Sequence, residues 1–475
     1  MIVYEHVASV KKRKEPMMKR RKFIQTSISS ALGMGAGLTI LNNPASVRSA
    51  AANEKIGMAL IGCGGRGAQL LHGFDYPNAR MTGFQEFDEV NVLHCCDARK
   101  DRGEQAANRS GSKYTADMRT VFDDKEVDAV VCALPDHWHA LAAILACQAG
   151  KDVFTEKPVS HSAWEGQKLV EAARKYKRIV QHGTQNRSAP YNMEAKKFIE
   201  EGRLGTIHLC RVFNQKREMN SFKIATGEPI PAGLDWNAWL GPAADRPYSS
   251  TIINSNWHEL WDFSTGDLLN DGVHQLDLAR WLIGKEFPQS AYAVGGRYTD
   301  PDSDAETPDT LIATYEFDDL IMTAEQTLYT DYILKIDPTV RQTDMFPYWL
   351  QCATRIELYG TKGLMMVGRH GGGWQVFVRP RDRQPVVSAS QFGRFPDVEH
   401  KRNFLDCIKS RELPTADIEI GHRSTLLVHY STISYRLGGA KLMINQEDGT
   451  ILNNPDADKF WHRDYRSPFV VPENV

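Results

Sequence analysis

A short apolar run that ends in closely spaced glycines constrains this chain more than any other stretch. The run occupies residues 55–61, and Gly62, Gly64 and Gly67 follow it at G-x-G-x-x-G spacing. The pattern predicts a strand, a tight turn and a helix start: Gly62 permits the turn, Gly64 lets a pyrophosphate approach the backbone, and Gly67 lets the helix pack against the strand. The free N–H groups of a helix start favour a phosphate. We expect five residues to form this cofactor-binding turn: Gly62, Gly64, Gly65, Arg66 and Gly67.

The stretches after the turn alternate between predicted strands and helices. This context matters because a glycine-rich turn without any ligand fits the six residues equally well. Apolar runs at 90–96, 127–134 and 152–155 read as buried strands, with predicted helices between them. Such alternation is typical of a parallel, doubly wound sheet. We therefore expect a Rossmann-type α/β domain over residues 53–186 that binds NAD or NADP.

Asp97 directly follows the second predicted strand of this domain. A carboxylate there can accept hydrogen bonds from the ribose hydroxyls of an adenosine. Asp97 lies further from the glycines than is usual, because a polar insertion at about 76–89 separates them. Arg99 and Lys100 follow closely and can instead meet a 2′-phosphate, so NAD is favoured over NADP only slightly.

Three motifs in the first half of the chain occur in a recognisable order: Gly62-x-Gly64-x-x-Gly67, Pro135-Asp136-His137-Trp138-His139 and Glu156-Lys157-Pro158. Together they resemble the Gfo/Idh/MocA family of glucose–fructose and inositol dehydrogenase-like oxidoreductases, over nearly everything from Lys55 onward. The resemblance implies hydride transfer between a secondary hydroxyl of a sugar or polyol and a nicotinamide cofactor. We expect further cofactor contacts from five residues: Pro135, His139, Glu156, Lys157 and Gln185.

Lys157 is the first catalytic candidate. A lysine at the end of a strand beside the nicotinamide can bond the reacting hydroxyl and stabilise an alkoxide as the hydride leaves. The alternative is a solvated surface lysine. His137 and His139 stand at a predicted helix start, where a histidine is commonly only a cap. Gln185 and Arg187 follow a further strand and can meet cofactor or substrate, although an interdomain hydrogen bond fits them equally well.

His274 is the second catalytic candidate, on a helix predicted over residues 266–284. The family usually has Asp-x-Gly-x-His here, and the resemblance implies that the histidine is the acid/base group. His274 matches, but Asn270 replaces the aspartate, and Asp271 is expected to point about 100° away around the helix. We reject a metal site formed by Asp271, His274 and Asp277, because these positions wind too far around a helix to converge.

Tryptophans cluster in the region that follows the nucleotide-binding half, between residues 236 and 281. Their rings can stack on a pyranose while His258, Glu259 and Asp262 bond its hydroxyls. The alternative is that they fill the core or a subunit interface. We expect substrate contacts from six residues: Arg187, Trp236, Trp261, Asn270, Asp271 and His274.

The second half of the chain is predicted to be an α+β domain over residues 187–440, with a large open, mostly antiparallel sheet. The resemblance implies that the open face forms a homo-oligomer interface. Residues 330–348 form an insertion that reads as a lid or an oligomer arm. Residues 441–475 read as a polar, irregular tail.

The first 52 residues are predicted to be an export signal. Paired arginines, Arg20 and Arg21, precede a weakly apolar stretch at 28–41 that is too short to span a bilayer permanently. This pattern is typical of twin-arginine signals, so we expect a periplasmic or otherwise exported protein and the twin-arginine translocase as a partner. Free NAD is scarce outside the cytoplasm, so we expect a non-dissociating cofactor.

Charge and composition limit the remaining function classes. A formal net charge of −2 gives no general attraction to nucleic acid, so we expect no nucleic-acid partner. An NAD-dependent glycosidase, working by transient C3 oxidation and elimination, remains an alternative to the oxidoreductase. A non-catalytic sugar- or nucleotide-binding protein is a second alternative, supported only by Asn270.

Overall fold

A computed structural model describes residues 55–76, 79–216, 221–381 and 383–475, so the predicted export signal at 1–52 lies outside the described residues. The strands are β1 (Ile56–Ile61), β2 (Phe74–Tyr76), β3 (Ala79–Met81), β4 (Val90–Cys96), β5 (Lys113–Thr115), β6 (Ala129–Cys132), β7 (Asp152–Thr155), β8 (Val180–His182), β9 (Ile207–Gln215), β10 (Ser290–Gly296), β11 (Thr310–Glu316), β12 (Ile321–Thr327), β13 (Arg355–Gly360), β14 (Gly363–Gly368), β15 (Trp374–Val378), β16 (Val386–Gln391) and β17 (Leu442–Met443).

The helices carry labels in the same chain order. They are α1 (Gly65–His72), α2 (Lys100–Ser110), α3 (Met118–Asp123), α4 (His139–Gln148), α5 (Ala163–Lys175), α6 (Pro190–Glu200), α7 (Trp236–Leu240), α8 (Ser250–Ile253), α9 (Val273–Ile283), α10 (Pro338–Arg341), α11 (Asp397–Ser410), α12 (Ile418–Arg436) and α13 (Asp458–Trp461). Among the described residues, no helix is both long enough and apolar enough to cross a membrane.

The first sheet is parallel and has the strand order β5-β4-β1-β6-β7-β8. Every residue of β1, β6 and β7 is buried, as expected when helices cover both faces of a parallel sheet. β1 pairs with β4 on one side and with β6 on the other. The chain therefore reverses its winding beside β1, and the crevice at such a switch point is where ligands bind in these sheets. The prediction of a doubly wound parallel sheet is confirmed.

The second sheet has nine strands in the order β16-β15-β14-β13-β9-β12-β11-β10-β17. Its β9–β12 pair is parallel, and its other pairs are antiparallel, so the predicted large, mostly antiparallel sheet is confirmed. Helices α9 and α12 pack over one face, where Leu311, Ala313 and Tyr315 of β11 are buried. On the opposite face Val294 and Ile312 are exposed.

The C-terminal residues 441–475 differ from the predicted irregular tail. Leu442 and Met443 form an edge strand that pairs with Ala291 and Ser290 of β10. Val471 and Val475 are buried within the apolar cluster of the first sheet. Two paired residues are too few to show an alternating pattern in the sequence, so the segment gave no strand signal.

Helix α11 belongs to the predicted second domain but packs on the first sheet. Its Phe404 ring lies 5.7 Å from the ring of Phe154 in β7 and 6.1 Å from that of Phe84, measured between centroids. The chain thus returns to the first sheet after completing the second. The domain limits given by the sequence remain predictions.

Candidate active site

The glycine turn between β1 and α1 has the backbone that its sequence predicts. Gly62 has φ +90°, a conformation that side chains rarely adopt, and a Cβ there would lie 2.3 Å from the Ala133 carbonyl oxygen. A Cβ on Gly67 would lie 1.9 Å from the carbonyl oxygen of Gly62, so only glycine lets α1 pack this closely. Gly64 faces open space, where a Cβ would come no closer than 3.5 Å to Arg102. The turn therefore leaves room for a phosphate above Gly64.

A cavity of about 450 Å³ extends from this turn along the carboxyl ends of the central strands. Residues that follow β1, β4, β6 and β7 line one side: Gly62, Gly64, Gly65, Arg66, Asp97, Leu134, Pro135, Glu156 and Lys157. The opposite side comes from the second half of the chain, with Trp239, Ser255, Trp257, His258 and Asn270. The open space at Gly64, at a helix start and beside this cavity, fits the pyrophosphate of NAD.

Asp97 lies where the sequence places it, in the cavity lining after β4. Its two carboxylate oxygens accept from the N–H groups of Cys63 and Arg99, each at 2.7 Å. Burial raises the pKa of this carboxyl, and the two N–H groups oppose that rise. The Arg99 guanidinium is bound to Asp101 at 2.6 Å. Arg102, which the sequence analysis missed, is the arginine whose guanidinium lies beside Gly64.

Arg66 and Glu156 line the cavity but bind each other, with 2.6 Å between Arg66 Nε and Glu156 Oε1. Arg66 also reaches Asp397 of α11 at 3.4 Å. Burial raises the pKa of Glu156, but the charges of Arg66 and Lys157 outweigh it and hold the pKa below its usual value. This ion pair ties the glycine turn to the segment that carries Lys157.

Lys157 stands at the carboxyl end of β7, half-buried in the cavity lining. Its peptide bond to Pro158 is cis. Its ammonium donates to the backbone carbonyl oxygen of Asn270 and, at 2.9 Å, to the side-chain Oδ1 of the same residue. A single residue therefore fixes the position of the candidate catalytic amine.

Asn270 lies in a π-helical turn, Leu268–Gly272, that precedes α9. The helix predicted over 266–284 is present at residues 267–283, but its first turn is π-helical, and a π-turn of this kind is frequent at functional sites. The Asn270 side chain donates to Asp267 Oδ1 at 3.2 Å, which turns its oxygen toward Lys157. Asn270 thus lines the cavity and also binds the amine of Lys157, the candidate catalytic residue.

Asp271 is buried and surrounded by cations. The expected direction of its side chain, away from the site, did not indicate these partners. Its carboxylate lies 2.8 Å from Lys216, 2.8 Å from Arg369 and 2.9 Å from Lys335. Burial raises the pKa of Asp271, but these three cations outweigh it and hold the pKa well below the usual range. Asp271 thus forms a buried ion-pair cluster, and its predicted contact with the substrate stays a prediction. Lys335 shows that the 330–348 insertion reaches this cluster.

His274 is 5% exposed on the first turn of α9. Burial, and then the charges of Arg369 and Lys157, lower its pKa well below the usual value, so the ring is neutral. Among the described residues Nδ1 of His274 has no hydrogen-bond partner. The ring lies near Lys157 but is almost enclosed.

Two residues predicted to bind the substrate are buried and have partners within the protein. Arg187 is buried, and its Nε donates to both carboxylate oxygens of Asp277 at 2.9 Å. Its guanidinium is therefore part of a buried ion pair. Trp236 is also buried. Its ring stacks on Trp239 with 4.7 Å between centroids, and its N–H donates to the Arg246 carbonyl. The predicted contacts of these two side chains with a sugar stay predictions.

The structure also shows the surroundings of three other residues that are predicted to bind the cofactor or the substrate. Both ring nitrogens of His139 face carbonyl oxygens, those of Pro158 and Leu134, at 2.6 and 2.7 Å, so the ring links two loops at the cavity, and its predicted cofactor contact stays a prediction. Gln185 is buried in a 3-10 turn. Trp261 is half-buried, and its ring faces the Arg436 guanidinium at 4.8 Å.

Comparison with known families follows the same division of the chain. The model of an oxidoreductase family with an NAD-binding Rossmann fold matches residues 56–184, and the model of that family's C-terminal alpha/beta domain matches residues 192–319. Together the two matches span more than half of the chain. The chain belongs to the Gfo/Idh/MocA family. It therefore carries the NAD-binding Rossmann domain predicted from the glycine turn.

Curated relatives of this chain include inositol and levoglucosan dehydrogenases. An inositol 2-dehydrogenase of Saccharopolyspora erythraea is 28% identical over 48% of this chain and 54% of its own length. The NAD(+)-dependent scyllo-inositol 2-dehydrogenase of Bacillus subtilis is 24% identical over 69% of this chain and 84% of its own length. The first relatives are matched over about half of their length.

Solved structures of the family share the fold at low identity. Levoglucosan dehydrogenase in complex with NADH and levoglucosan has a TM-score of 0.58 at 19% identity, covering 83% of this chain and 100% of that chain. The WlbA dehydrogenase from Bordetella pertussis, in complex with NADH and UDP-GlcNAcA, has a TM-score of 0.59 at 20% identity, covering 82% and 99%. These similarities establish the two-sheet Gfo/Idh/MocA fold.

Proposed function

We propose that this chain is an NAD-dependent dehydrogenase that acts on a secondary hydroxyl of a sugar or polyol. Membership of an NAD-binding oxidoreductase family supports the proposal, as do the relatives named inositol dehydrogenases. The observation that carries it is the position of Lys157, whose amine lines the same cavity as the glycine turn. A cofactor that begins at the turn and follows the strand ends reaches this amine.

The proposed chemistry assigns a distinct task to each side chain. Bound NAD supplies a nicotinamide that takes up a hydride from the hydroxyl-bearing carbon. Lys157 directs an N–H toward the hydroxyl oxygen and stabilises the negative charge that develops there. Two of its three hydrogens bind Asn270, so one remains for the substrate. His274 is neutral and is proposed to accept a hydrogen bond from the substrate.

A substrate panel tests this function. Purified protein, with NAD added where none is already bound, is mixed with myo-inositol, levoglucosan or glucose, and reduction of its cofactor to NADH is followed by absorbance. Lys157→Met should lower kcat by about 100-fold or more. Lys113→Met, on the exposed start of β5, is the matched control. Wild-type rates in Lys157→Met would contradict the proposal.

We also propose that the protein is exported with its cofactor already bound. The paired arginines and the apolar stretch within residues 1–52 support export through the twin-arginine translocase, which carries folded proteins. The test is to denature protein purified from the periplasm and to measure the nicotinamide released per chain. Protein that arrives empty and binds NAD only at millimolar concentration would contradict the retained cofactor.

The open face of the second sheet is proposed as the homo-oligomer interface. Val294 is 58% exposed, Ile312 48% and Ile321 45%, on three adjacent strands. An apolar surface of this kind typically marks a protein contact. Ile312→Lys should shift the mass measured by light scattering toward the monomer. An unchanged mass would contradict this interface.

A further inference from the structure

His258 stands beside the candidate catalytic amine but has no role in the chemistry so far described. It lies in the 3-10 turn Asn256–Glu259, half-buried, and lines the cavity together with Lys157 and Asn270. The Trp257 ring stacks on the imidazole, with 3.6 Å between centroids. The backbone of His258 is held by Gly266, whose N–H donates to the His258 carbonyl at 3.1 Å.

One hydrogen bond fixes the tautomer of this imidazole. Nδ1 of His258 lies 2.7 Å from the carbonyl oxygen of Ser255. A carbonyl oxygen only accepts, so Nδ1 carries the hydrogen and Nε2 of the neutral ring carries a lone pair. Ser255 has φ +124°, which is strained for a residue other than glycine, and such strain clusters at functional sites. The strained turn places its carbonyl against the ring.

Neighbouring histidines do not offer the same acceptor. His137 binds the Trp239 carbonyl oxygen through Nε2, and its Nδ1 is buried. Both nitrogens of His139 face carbonyl oxygens. His274 is 5% exposed and, unlike His258, is not among the described residues that line the cavity. His258 combines one anchored nitrogen with a second nitrogen on a half-buried ring that lines the cavity.

Burial, more than the surrounding charges, keeps His258 neutral and able to take up a proton. Burial lowers its pKa, and the ammonium of Lys157 lowers it further, whereas Asp136, the Ser255 carbonyl and Asp267 act in the opposite direction. Asp136 accepts a hydrogen bond from Ser264, and Asp267 is paired with Lys216. A neutral imidazole beside an ammonium suits a base that works together with a hydrogen-bond donor.

We propose that Nε2 of His258, rather than His274, accepts the proton of the substrate hydroxyl during oxidation, an assignment that rests on the proposed dehydrogenase function. In this step the O–H bond breaks and its proton passes to Nε2. The bonding pair left on oxygen forms the C=O bond, and the C–H pair leaves as a hydride to the nicotinamide. The alcohol is oxidised and NAD is reduced. Lys157 holds the oxygen throughout.

A variant that keeps the hydrogen bond to Ser255 but lacks the proton-accepting nitrogen tests this assignment. The amide of His258→Asn can still donate to Ser255, as Nδ1 does, but it has no Nε2. We expect kcat on the best substrate of the panel to fall about 100-fold or more, with the dissociation constant for NAD unchanged. The acid limb of the wild-type kcat/KM profile should disappear. His208→Asn, an exposed position on β9, is the matched control.

Three results, the last of them from the further variant His274→Asn, would overturn the assignment. Wild-type kcat in His258→Asn shows that the proton goes elsewhere. A parallel loss of NAD binding and melting temperature shows a structural role. If kcat falls in His274→Asn and is unchanged in His258→Asn, His274 is the group that accepts the proton.

A measurement without any sugar separates this assignment from the proposed function. NMR of the protein labelled with ¹⁵N-histidine, compared with His258→Asn to identify the signal, reports which ring nitrogen is protonated. We expect the Nδ1–H tautomer and a shift of the Nε2 signal when NAD is added. An Nε2–H tautomer overturns the assignment even if the enzyme oxidises sugars. An inactive wild-type protein with the expected tautomer contradicts the dehydrogenase function instead.

Discussion

The amine of Lys157 is held by both oxygens of Asn270, the residue that replaces the aspartate usual in the Gfo/Idh/MocA family. An amide cannot take a proton from a neighbour as a carboxylate can. Asn270 therefore acts on Lys157 by orientation, with its own NH₂ group held by Asp267 at 3.2 Å. We therefore expect Asn270 to position the amine while other groups transfer the proton.

Asn270→Leu should lower kcat by about ten- to a hundredfold and leave NAD binding unchanged. The leucine removes the side-chain acceptor at 2.9 Å, while the backbone carbonyl of residue 270 still binds Lys157. Loss of one hydrogen bond to a charged group corresponds to about 1.5–3 kcal/mol. Steady-state kinetics with fluorescence titration of NAD measures both quantities. Equal kcat in the variant would show that the backbone contact alone positions Lys157.

Gly64→Ala and Gly67→Ala should fail in different ways. A Cβ at Gly64 meets open space, so the variant should fold with an unchanged melting temperature but bind NAD weakly, because the methyl group occupies the space of the pyrophosphate. A Cβ at Gly67 lies 1.9 Å from the Gly62 carbonyl oxygen, so that variant should lose stability. Thermal melts with and without NAD distinguish the two. Normal NAD affinity in Gly64→Ala would contradict the proposed cofactor path.

Asp277→Asn should destabilise the fold by about 3–5 kcal/mol, because it leaves the buried guanidinium of Arg187 without its counter-charge. The matched control is Asp344→Asn, which breaks the exposed pair with Arg394 and should cost at most about 1 kcal/mol. Urea denaturation measures both. Similar losses in the two variants would show that the Arg187–Asp277 pair contributes no more than a surface ion pair.

The glycine turn and Lys157 could be predicted because local sequence determines them. Gly62 needs a positive φ and Gly67 needs close packing, whatever the rest of the chain does. The alternation of strands and helices along the chain likewise predicts a parallel sheet. The second side of the cavity could not be predicted in this way, because Ser255 and His258 reach it through long-range folding of an irregular segment.

Side-chain partners were the other unpredictable part of the site. Arg187 and Asp271 are polar residues near the predicted site, and their sequence positions do not show that Asp277 and Arg369 neutralise them. The π-turn at Asn270 was also missed, because its one extra residue leaves the apolar pattern of the helix nearly unchanged. Ion-pair partners that lie about a hundred residues apart in the sequence can be identified only from the folded structure.

The buried histidines should make the protein acid-sensitive. Burial lowers the pKa of His137, His182 and His429 to about 3 each. An unfolded histidine has a pKa of about 6.5, so between these values the unfolded state binds more protons, and the unfolding free energy falls as the pH falls. Each ring contributes up to about 1.4 kcal/mol per pH unit across that window.

Urea denaturation between about pH 7 and about pH 5 should therefore show a steep loss of stability toward acid. His429→Leu should reduce the slope by about one proton, because the leucine has nothing to titrate, and His137→Leu should reduce it by a similar amount. The two rings belong to different parts of the fold, so the double variant should show the sum. A slope that is the same in all four proteins would mean that these rings are already protonated in the folded state, and the neutral histidine environment described around the cavity would be wrong.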